Sequence, residues 1–369
     1  MKNFSFPLLF LCSFAFSLSN QCPPGFTQKK NLCYYASPYL DGKSTHGLVK
    51  GITSYQGGMN PKEIDLGRLL FFDPILSKDK TLSCAHCHTP QAGLSDGRKR
   101  SFGRNRKELA RSAPTLWNVA FLEKFFWDGR ANNLEEQLSG PLFSTDEMAN
   151  TPEHLERDLN QSPAYKKLFF EVFGTRKISY PLVAQALTTF ERSLISLNSR
   201  YDKFVLGDTE ALNKDEIAGH NLFRSFVTRC TECHTPPLFT NSQLVNLGLP
   251  EDPKGPKDLG LEQVTRDPKH RDHFKVPTLR NIAQSAPYMH SGIFQTLEEV
   301  VHFYNSGGGR DGDGKFSPYI HWHIRKIGMS SEEERLIVTF LKTLTDESSA
   351  PEIPIQVPSG LKISQGEKK

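Results

Sequence analysis

The sequence predicts an all-α protein built from two units. Two observations carry this prediction: apolar residues recur with helical spacing while strand patterns are scarce, and one cysteine-rich motif occurs once in each half of the chain. The length of 369 residues agrees, because it exceeds the size at which single cores usually stop growing. We therefore expect one unit over 60–205, a second over 206–345, and short segments outside them.

Four segments have the spacing of amphipathic helices. The segments 162–174 and 182–195 place apolar side chains at i, i+3, i+4 and i+7. A third helix is expected to begin at Thr296, which has capping-box spacing to Glu299. A fourth is expected after Ser331, where the same spacing recurs.

The two ends of the chain lack a core pattern. Lys2 and the apolar run 6–16, followed by small residues, predict an export signal over 1–19, because this run is shorter than the roughly 20 residues that span a bilayer. We expect a periplasmic protein, with a lipid anchor at Cys22 as the weaker alternative. The stretch 346–369, rich in Pro, Ser, Gly and Lys, is expected to be a tail or a peripheral strap.

The positions of the cysteines predict a disulfide, and the net charge limits the kinds of partner that the protein can bind. Of seven cysteines, Cys12 lies in the predicted signal and four lie in the repeated motif. The remaining Cys22 and Cys33 are expected to pair in an oxidising compartment and to close an N-terminal extension, 20–59. The net charge of +4 is spread over both signs without a long basic run, so we expect no nucleic-acid partner.

The repeated motif is the strongest functional signal. Its copies are Cys84-Ala-His-Cys87-His88 and Cys230-Thr-Glu-Cys233-His234. Two thiols at this spacing reach the vinyl groups of one haem, and the adjacent histidine is placed under the iron. Two copies in an exported chain disfavour a zinc or redox-thiol site. We therefore predict two cytochrome c-like domains, each with one covalently bound haem c.

Further stretches around both motifs resemble the bacterial di-haem cytochrome c peroxidase and MauG family, in that family's order from about residue 60 to residue 346. They are Leu66-Gly-Arg-Leu-Leu-Phe-Phe-Asp73, Ser112-Ala-Pro-Thr-Leu-Trp-Asn118, Phe126-Trp-Asp-Gly-Arg130, Gly140-Pro141 with Glu147-Met148, and Val276-Pro-Thr-Leu-Arg-Asn281 with Pro287-Tyr-Met-His290. The resemblance implies a pair of helical cytochrome c-like domains and hydrogen peroxide as substrate. It also implies either a small cytochrome c or cupredoxin as electron donor, or a protein substrate, and a homodimer is common in the family.

The resemblance implies roles for single residues. His88 would be the proximal ligand of the N-terminal, peroxide-reacting haem, and His234 that of the C-terminal, electron-transfer haem. Glu147 matches the carboxylate that moves a proton between the peroxide oxygens, with a solvated acid at a helix start as the plain alternative. Trp127 matches the tryptophan between the haems, where an indole can relay an electron.

Other matches are less specific. Arg130 and Arg280 resemble family positions near the haem propionates, and surface ion pairs are the alternative. His290 lies in a family motif at the domain interface, without an assigned chemical step. Trp117 and Trp322 lack such a context and are expected to be packing residues.

Two departures from the family pattern concern the iron ligands. Arg104 stands where many family peroxidases have a histidine that blocks the N-terminal haem, so that haem is expected to be open in the ferric state. Tyr304 stands where peroxidases use a methionine to ligate the C-terminal haem, as in MauG-like members, and a phenolate would lower the potential of that haem. Met329 or Met289 would ligate if Tyr304 only packs in the helix core.

The family also binds calcium between its domains. Ser112 replaces an asparagine ligand, while Ser285 and Pro287 match positions that bind through their carbonyls, so one Ca²⁺ is expected. The run Asp311-Gly-Asp313-Gly is expected to be a turn.

The leading hypothesis is therefore an exported di-haem peroxidase that reduces hydrogen peroxide to water. The alternatives are a MauG-like enzyme that oxidises a protein side chain and a plain di-haem electron carrier.

Overall fold

The computed structural model describes residues 16–39, 57–250, 252, 255–310 and 318–363. Residues 1–15 of the predicted export signal and the Asp311-Gly-Asp313-Gly run lie outside these ranges. Within them, no helix combines the length and apolar character that a membrane span requires.

The described chain is mostly helical, as predicted. Its helices are α1 (Pro61–Phe72), α2 (Cys84–Cys87), α3 (Leu134–Phe143), α4 (Pro152–Gln161), α5 (Pro163–Phe173), α6 (Tyr180–Arg192), α7 (Arg200–Val205), α8 (Lys214–Phe223), α9 (Cys230–Cys233), α10 (Glu262–Thr265), α11 (Leu297–Asn305) and α12 (Ser331–Lys342). The predicted helices correspond to α5, α6, α11 and α12. The last of these begins one residue early, because its capping box joins Ser330 to Glu333 rather than Ser331 to Glu334.

Two small antiparallel sheets of two strands each accompany the helices. Strands β1 (Phe26–Lys29) and β2 (Leu32–Tyr35) pair near the N-terminus, and β3 (Leu244–Asn246) pairs with β4 (His273–Lys275). A disulfide joins Cys22 to Cys33, which lies on β2 and is fully buried. Because Cys33 belongs to the buried cluster that contains α1, the β1–β2 hairpin packs the N-terminal extension against the body of the protein.

The buried side chains form two clusters, each built on a pair of crossing helices. In the first, α1 lies against α6 so closely that a Cβ at Gly67 would be 2.0 Å from the Ala186 carbonyl oxygen. In the second, a Cβ at Gly219 on α8 would be 2.0 Å from the Leu336 carbonyl oxygen on α12. Glycine is required at both crossings because the backbones touch. The two halves therefore share the same helix packing.

The C-terminal segment is a strap rather than a loose tail over its described part. After α12 the chain returns to the first cluster, where Val357 is fully buried. The Ser359 hydroxyl donates a 2.6 Å hydrogen bond to the carboxylate of Asp73, which is itself buried at the end of α1. The strap thus covers the first cluster.

Candidate active site

The first cysteine-histidine motif forms a single helical turn, α2, whose end presents His88. The His88 backbone N–H donates to the Cys84 carbonyl at 3.0 Å, and the His88 ring Nδ1–H donates to the Leu94 carbonyl, also at 3.0 Å. This second bond leaves the Nε2 lone pair available to a metal. Burial lowers the pKa of His88, which keeps the ring neutral as a metal ligand must be.

The second motif repeats this arrangement on α9. The His234 backbone N–H donates to the Cys230 carbonyl at 2.9 Å, and ring Nδ1–H donates to the Phe239 carbonyl at 3.1 Å. Burial lowers the pKa of His234 to about 4. Burial also raises the pKa of Cys230 to about 11 and of Cys87 to about 12, which disfavours a redox-active thiol at either motif.

Each motif opens onto its own cavity. The larger cavity is mostly apolar and holds His234 together with Tyr304 and Met329. Lys275 also lines it, and burial alone lowers the pKa of this lysine to about 8. A buried amine without a carboxylate partner among the described residues keeps its charge more readily when an anion lies beside it. Haem propionates supply such an anion, so the thiols, the free imidazole nitrogen and Lys275 together fit a haem.

The smaller cavity holds the first motif and two carboxyl groups. It is lined by Cys84, Cys87, His88, Gln137, Glu147 and Glu191, among others. Glu147 lies in the turn after α3, where its backbone N–H donates to the Ser144 carbonyl at 3.1 Å. It is therefore not the solvated helix-start acid of the plain alternative. Burial, partly offset by the charge of Arg130, raises the pKa of Glu147.

Comparison with known proteins agrees with this geometry. A model of the di-haem cytochrome c peroxidase family matches residues 61–210. The chain is 36% identical over 317 residues to cytochrome c551 peroxidase of Nitrosomonas europaea, which covers 84% of this chain and 87% of that protein. The chain belongs to the di-haem cytochrome c peroxidase family. It is equally similar to the methylamine utilization protein MauG of Methylorubrum extorquens, with 36% identity over 80% of this chain and 82% of MauG.

Solved structures show the same fold. A MauG-like protein associated with microbial copper homeostasis superposes with a TM-score of 0.71 at 32% identity, over 79% of this chain and 91% of that one. The diheme peroxidase BthA from Burkholderia thailandensis superposes with a TM-score of 0.69 at 27% identity, over 83% of this chain and 91% of BthA. The protein is thus a haem-dependent peroxidase-type oxidoreductase with the di-haem peroxidase fold.

Arg104 lies beside the smaller cavity, which holds the first motif and is called the first cavity below, but it does not line this cavity. Its backbone N–H donates to the Asp146 carbonyl at 3.0 Å, and its guanidinium Nε donates to Asp79 at 2.8 Å. The same loop lines the cavity with Phe102 and Gly103, neither of which carries a side chain that ligates iron. The loop therefore brings no described side-chain ligand into the first cavity.

The candidate sixth ligands of the second haem share one cavity. Tyr304 on α11 faces it with a buried phenol whose pKa is raised well above its ordinary value by burial. Met329 lies beside it, and its backbone is held by the Asn305 side chain through hydrogen bonds of 2.7 and 2.8 Å. Met289 also lines the cavity. The geometry therefore keeps all three candidates near His234.

Both predicted propionate arginines are paired with carboxylates. Arg130 contacts Asp128 at 2.9 Å and lies over the Phe126 ring, 3.4 Å from its centroid. Arg280 is fully buried and binds Asp202 through two hydrogen bonds of 2.7 Å. The ion-pair alternative thus describes the observed contacts, although the Arg280 pair lies in the core rather than at the surface.

Trp127 and His290 meet beside the larger cavity. Their ring centroids are 6.4 Å apart in an edge-to-face arrangement, and the Trp127 Nε1–H donates to the Ser112 carbonyl at 2.9 Å. His290 also stacks on Phe274 at 3.7 Å. Of the two expected packing residues, Trp117 is 2% exposed and lies in the first cluster, whereas Trp322 is 65% exposed, so the expectation is wrong for Trp322.

The predicted calcium residues come together without an acidic cluster. Ser112, Ser285 and Pro287 all line the larger cavity, and the Ser112 hydroxyl donates to the Met289 carbonyl at 3.0 Å. Across the described ranges, no three histidine, cysteine or acidic side chains form a metal-binding group. Calcium at this place would bind hydroxyl and carbonyl oxygens and stays a prediction.

A repeat missed in the sequence relates the two motifs. Pro-Thr-Leu-x-Asn occurs at 114–118 and again at 277–281. Thr115 donates to the Gly93 carbonyl at 2.7 Å, and Thr278 donates to the Leu238 carbonyl at 2.5 Å. Each repeat thus holds the loop after its haem motif in the same way. The signal was present in the sequence, but only the shared contacts reveal its meaning.

Proposed function

We propose that this protein is an exported di-haem c peroxidase that reduces hydrogen peroxide to water at a haem held by His88. Electrons would come from a small cytochrome c or cupredoxin through a second haem held by His234. The observation that carries the proposal is the first cavity, where Glu147 shares a buried space with His88 and the Arg104 loop contributes no iron ligand. The cytochrome c-like units would cover 60–205 and 206–345.

The chain's own donors would hold each haem. Cys84 and Cys87 would form the thioether bonds of the first haem and Cys230 and Cys233 those of the second, with His88 and His234 binding iron through Nε2. Bound haem supplies the iron that reacts with peroxide and passes electrons. Lys275 would offset the charge of a propionate in the larger cavity.

Glu147 would transfer a proton between the two oxygens of hydrogen peroxide. Its carboxylate would accept a proton from one peroxide oxygen and return it to the other, which leaves as water. Two electrons and two further protons complete the reduction to two water molecules. Because the pKa of Glu147 is raised by burial, the side chain is a stronger base than a solvated glutamate once it has ionised.

Trp127 would couple the two sites. It lines the larger cavity, while the segment 112–115 that accepts its hydrogen bond leads directly to Leu116 on the wall of the smaller cavity. An indole held in this place can pass an electron between the haems. Arg130 and Arg280 would lie near the haem propionates and offset their negative charge.

Tyr304 favours a second candidate function. A phenol in the second haem cavity, in a chain as similar to MauG as to a cytochrome c551 peroxidase, supports a MauG-like reaction in which a protein side chain is oxidised. Tyr304 would ligate the second iron, with Met329 as the alternative. A lower potential at that haem would make it a poorer acceptor from a small donor protein.

The remaining parts of the proposal concern the protein's surroundings. We infer export to the periplasm through the signal at 1–19, in keeping with the disulfide between Cys22 and Cys33. One Ca²⁺ at Ser112, Ser285 and Pro287 and a homodimer would complete the assembly.

Peroxide-dependent oxidation of reduced small cytochrome c or cupredoxin separates these functions. Rapid turnover that depends on Glu147 is the expected result for the leading proposal. Peroxide consumption at the first haem without oxidation of either donor would point to the MauG-like reaction. Absence of any spectral response to peroxide would reject both and leave a plain electron carrier.

A further inference from the structure

Glu191 is a buried carboxyl group that the mechanism above does not use. It is the penultimate residue of α6, is only 4% exposed, and lines the same cavity as His88 and Glu147. Its Oε2 atom is buried without a hydrogen-bond partner among the described residues. An unpaired buried carboxyl costs free energy, so its presence at a haem cavity calls for a physical reason.

The side chain lies toward the haem-attachment edge. Glu191 lines the same cavity as Cys84, whose sulfur would bond the first haem. Burial, and after it the negative charge of Glu191, raises the pKa of the Cys84 thiol. The helix that carries it is fixed, since the α1 and α6 backbones touch at Gly67 and Ala186. The backbone of Glu191 is therefore held in place at the cavity wall, where its side chain is 4% exposed.

Neighbouring charged groups are already engaged elsewhere. Arg192 donates to Glu135 at 2.7 Å on α3, and Glu63 on α1 accepts a 2.7 Å hydrogen bond from Thr189. Arg192 lowers and Glu135 raises the pKa of Glu191, while burial has the largest effect and raises it to about 8. Within the cavity the other titratable groups are the motif side chains and Glu147. The carboxyl is thus poised to change protonation near neutral pH.

The second half of the protein supplies a natural comparison. Gly219 meets Leu336 and Phe340 on α12 as Gly67 meets Ala186 and Phe190 on α6. The residue after Phe190 is Glu191, and the residue after Phe340 is Leu341, which lines the second cavity. The same wall position is therefore acidic at the first haem site and apolar at the second.

We propose that Glu191 is a redox-linked proton acceptor at the attachment edge of the first haem and sets the reduction potential of that haem. A carboxylate stabilises the more positive ferric iron and disfavours the ferrous iron. When the iron takes one electron, Glu191 takes one proton from solvent, and it releases that proton on reoxidation. The electron comes from the donor protein of the proposed function or, in the test, from an electrode.

Spectroelectrochemical titration of the full-length holoprotein tests the role of Glu191. The titration covers roughly pH 6 to 9, a range that brackets the raised pKa of this residue. We expect the reduction potential of the first haem to fall as the pH rises. The fall should reach up to about 59 mV per pH unit for one electron, which is a tenfold change in the ferric–ferrous equilibrium constant. Glu191→Gln should raise the potential and flatten this slope, and Glu191→Leu, which copies the second site, should do the same. The matched control Glu153→Gln removes an exposed carboxylate outside the cavity and should keep both the potential and the slope.

A Glu191→Gln protein with the wild-type potential and slope would overturn the proposal. If that variant fails to incorporate haem, redox-difference infrared spectra of the Glu147→Gln protein decide instead. A carboxylic acid band that appears on reduction is expected, and its absence would also overturn the proposal. The inference rests on the proposed haem at His88, but the titration uses neither peroxide nor a donor protein. A failed peroxidase assay is therefore distinguishable from a failed titration.

Discussion

Trp127 and His290 occupy the same position in the two halves of the protein and contact each other edge to face, with ring centroids 6.4 Å apart. Each lies two residues before a glycine with positive φ, Gly129 at 67° and Gly292 at 59°. Each also follows a residue bridged across its turn, Phe125 in one half and Tyr288 in the other. The contact thus joins corresponding parts of the two halves of the protein.

Trp127→Phe should slow electron transfer between the haems while leaving both haem spectra unchanged. The ring of phenylalanine fills much of the site, but it is harder to oxidise than indole and lacks the N–H that donates to Ser112 at 2.9 Å. Rapid mixing with peroxide, followed at the two haem bands, measures the effect. Trp322→Phe, at an exposed position, is the matched control and should behave as wild type. Equal transfer rates in the two variants would contradict this role.

Glu147→Gln should reduce peroxide turnover by about 10²- to 10⁴-fold, the range typical of general acid–base groups. The amide retains the shape of the side chain and cannot accept the proton. Steady-state kinetics with a reduced donor, after both haems have been quantified by absorbance, provide the measurement. Glu153→Gln removes an exposed carboxylate and should keep wild-type turnover. Retained activity in Glu147→Gln would remove this residue from the mechanism.

The acidic limb of the pH–rate profile should respond to the charges around Glu147. Activity needs the carboxylate, so it rises as the pH increases through the raised pKa of Glu147. Arg130 lowers this pKa and Asp146 raises it. Arg130→Gln should therefore move the limb to higher pH, and Asp146→Asn should move it to lower pH. Shifts in the same direction would contradict the electrostatic account.

Tyr304→Met should change the low-spin spectrum of the second haem and raise its potential, because a neutral thioether replaces a phenolate. Met329→Leu is the matched variant and should change neither, because Tyr304 would be the ligand and the backbone hydrogen bonds of residue 329 to Asn305 are retained. Redox titration of both proteins decides between the two ligands. A change confined to Met329→Leu would show that the methionine binds iron.

Arg280→Met should destabilise the protein by about 3–5 kcal/mol, because it leaves the buried Asp202 carboxylate unpaired. Thermal unfolding followed by circular dichroism should show a lower Tm. Arg335→Met breaks only exposed ion pairs with Glu332 and Asp215 and should leave the Tm unchanged. Equal Tm values for the two variants would contradict the structural role of the Arg280 pair.

Local features of the sequence predicted much of the fold and part of the site. The haem motifs, the helices α5, α6 and α11, and the placement of Glu147 near its motif all follow from short-range patterns or from family resemblance. The sequence did not reveal Glu191 or Lys275 as cavity residues. Their surroundings depend on the backbone contact between α1 and α6 and on the pairing of β3 with β4, which join distant parts of the chain.

The most direct test is the combined optical and electron-resonance spectrum of the fully ferric protein, before and after addition of peroxide. Arg104 binds Asp79 instead of entering the first cavity, and Glu147 lines this cavity together with His88. We therefore predict one high-spin and one low-spin haem, and we expect the high-spin signal to change when peroxide is added. Two low-spin haems that do not respond to peroxide would contradict the assignment of the His88 site as the reactive centre.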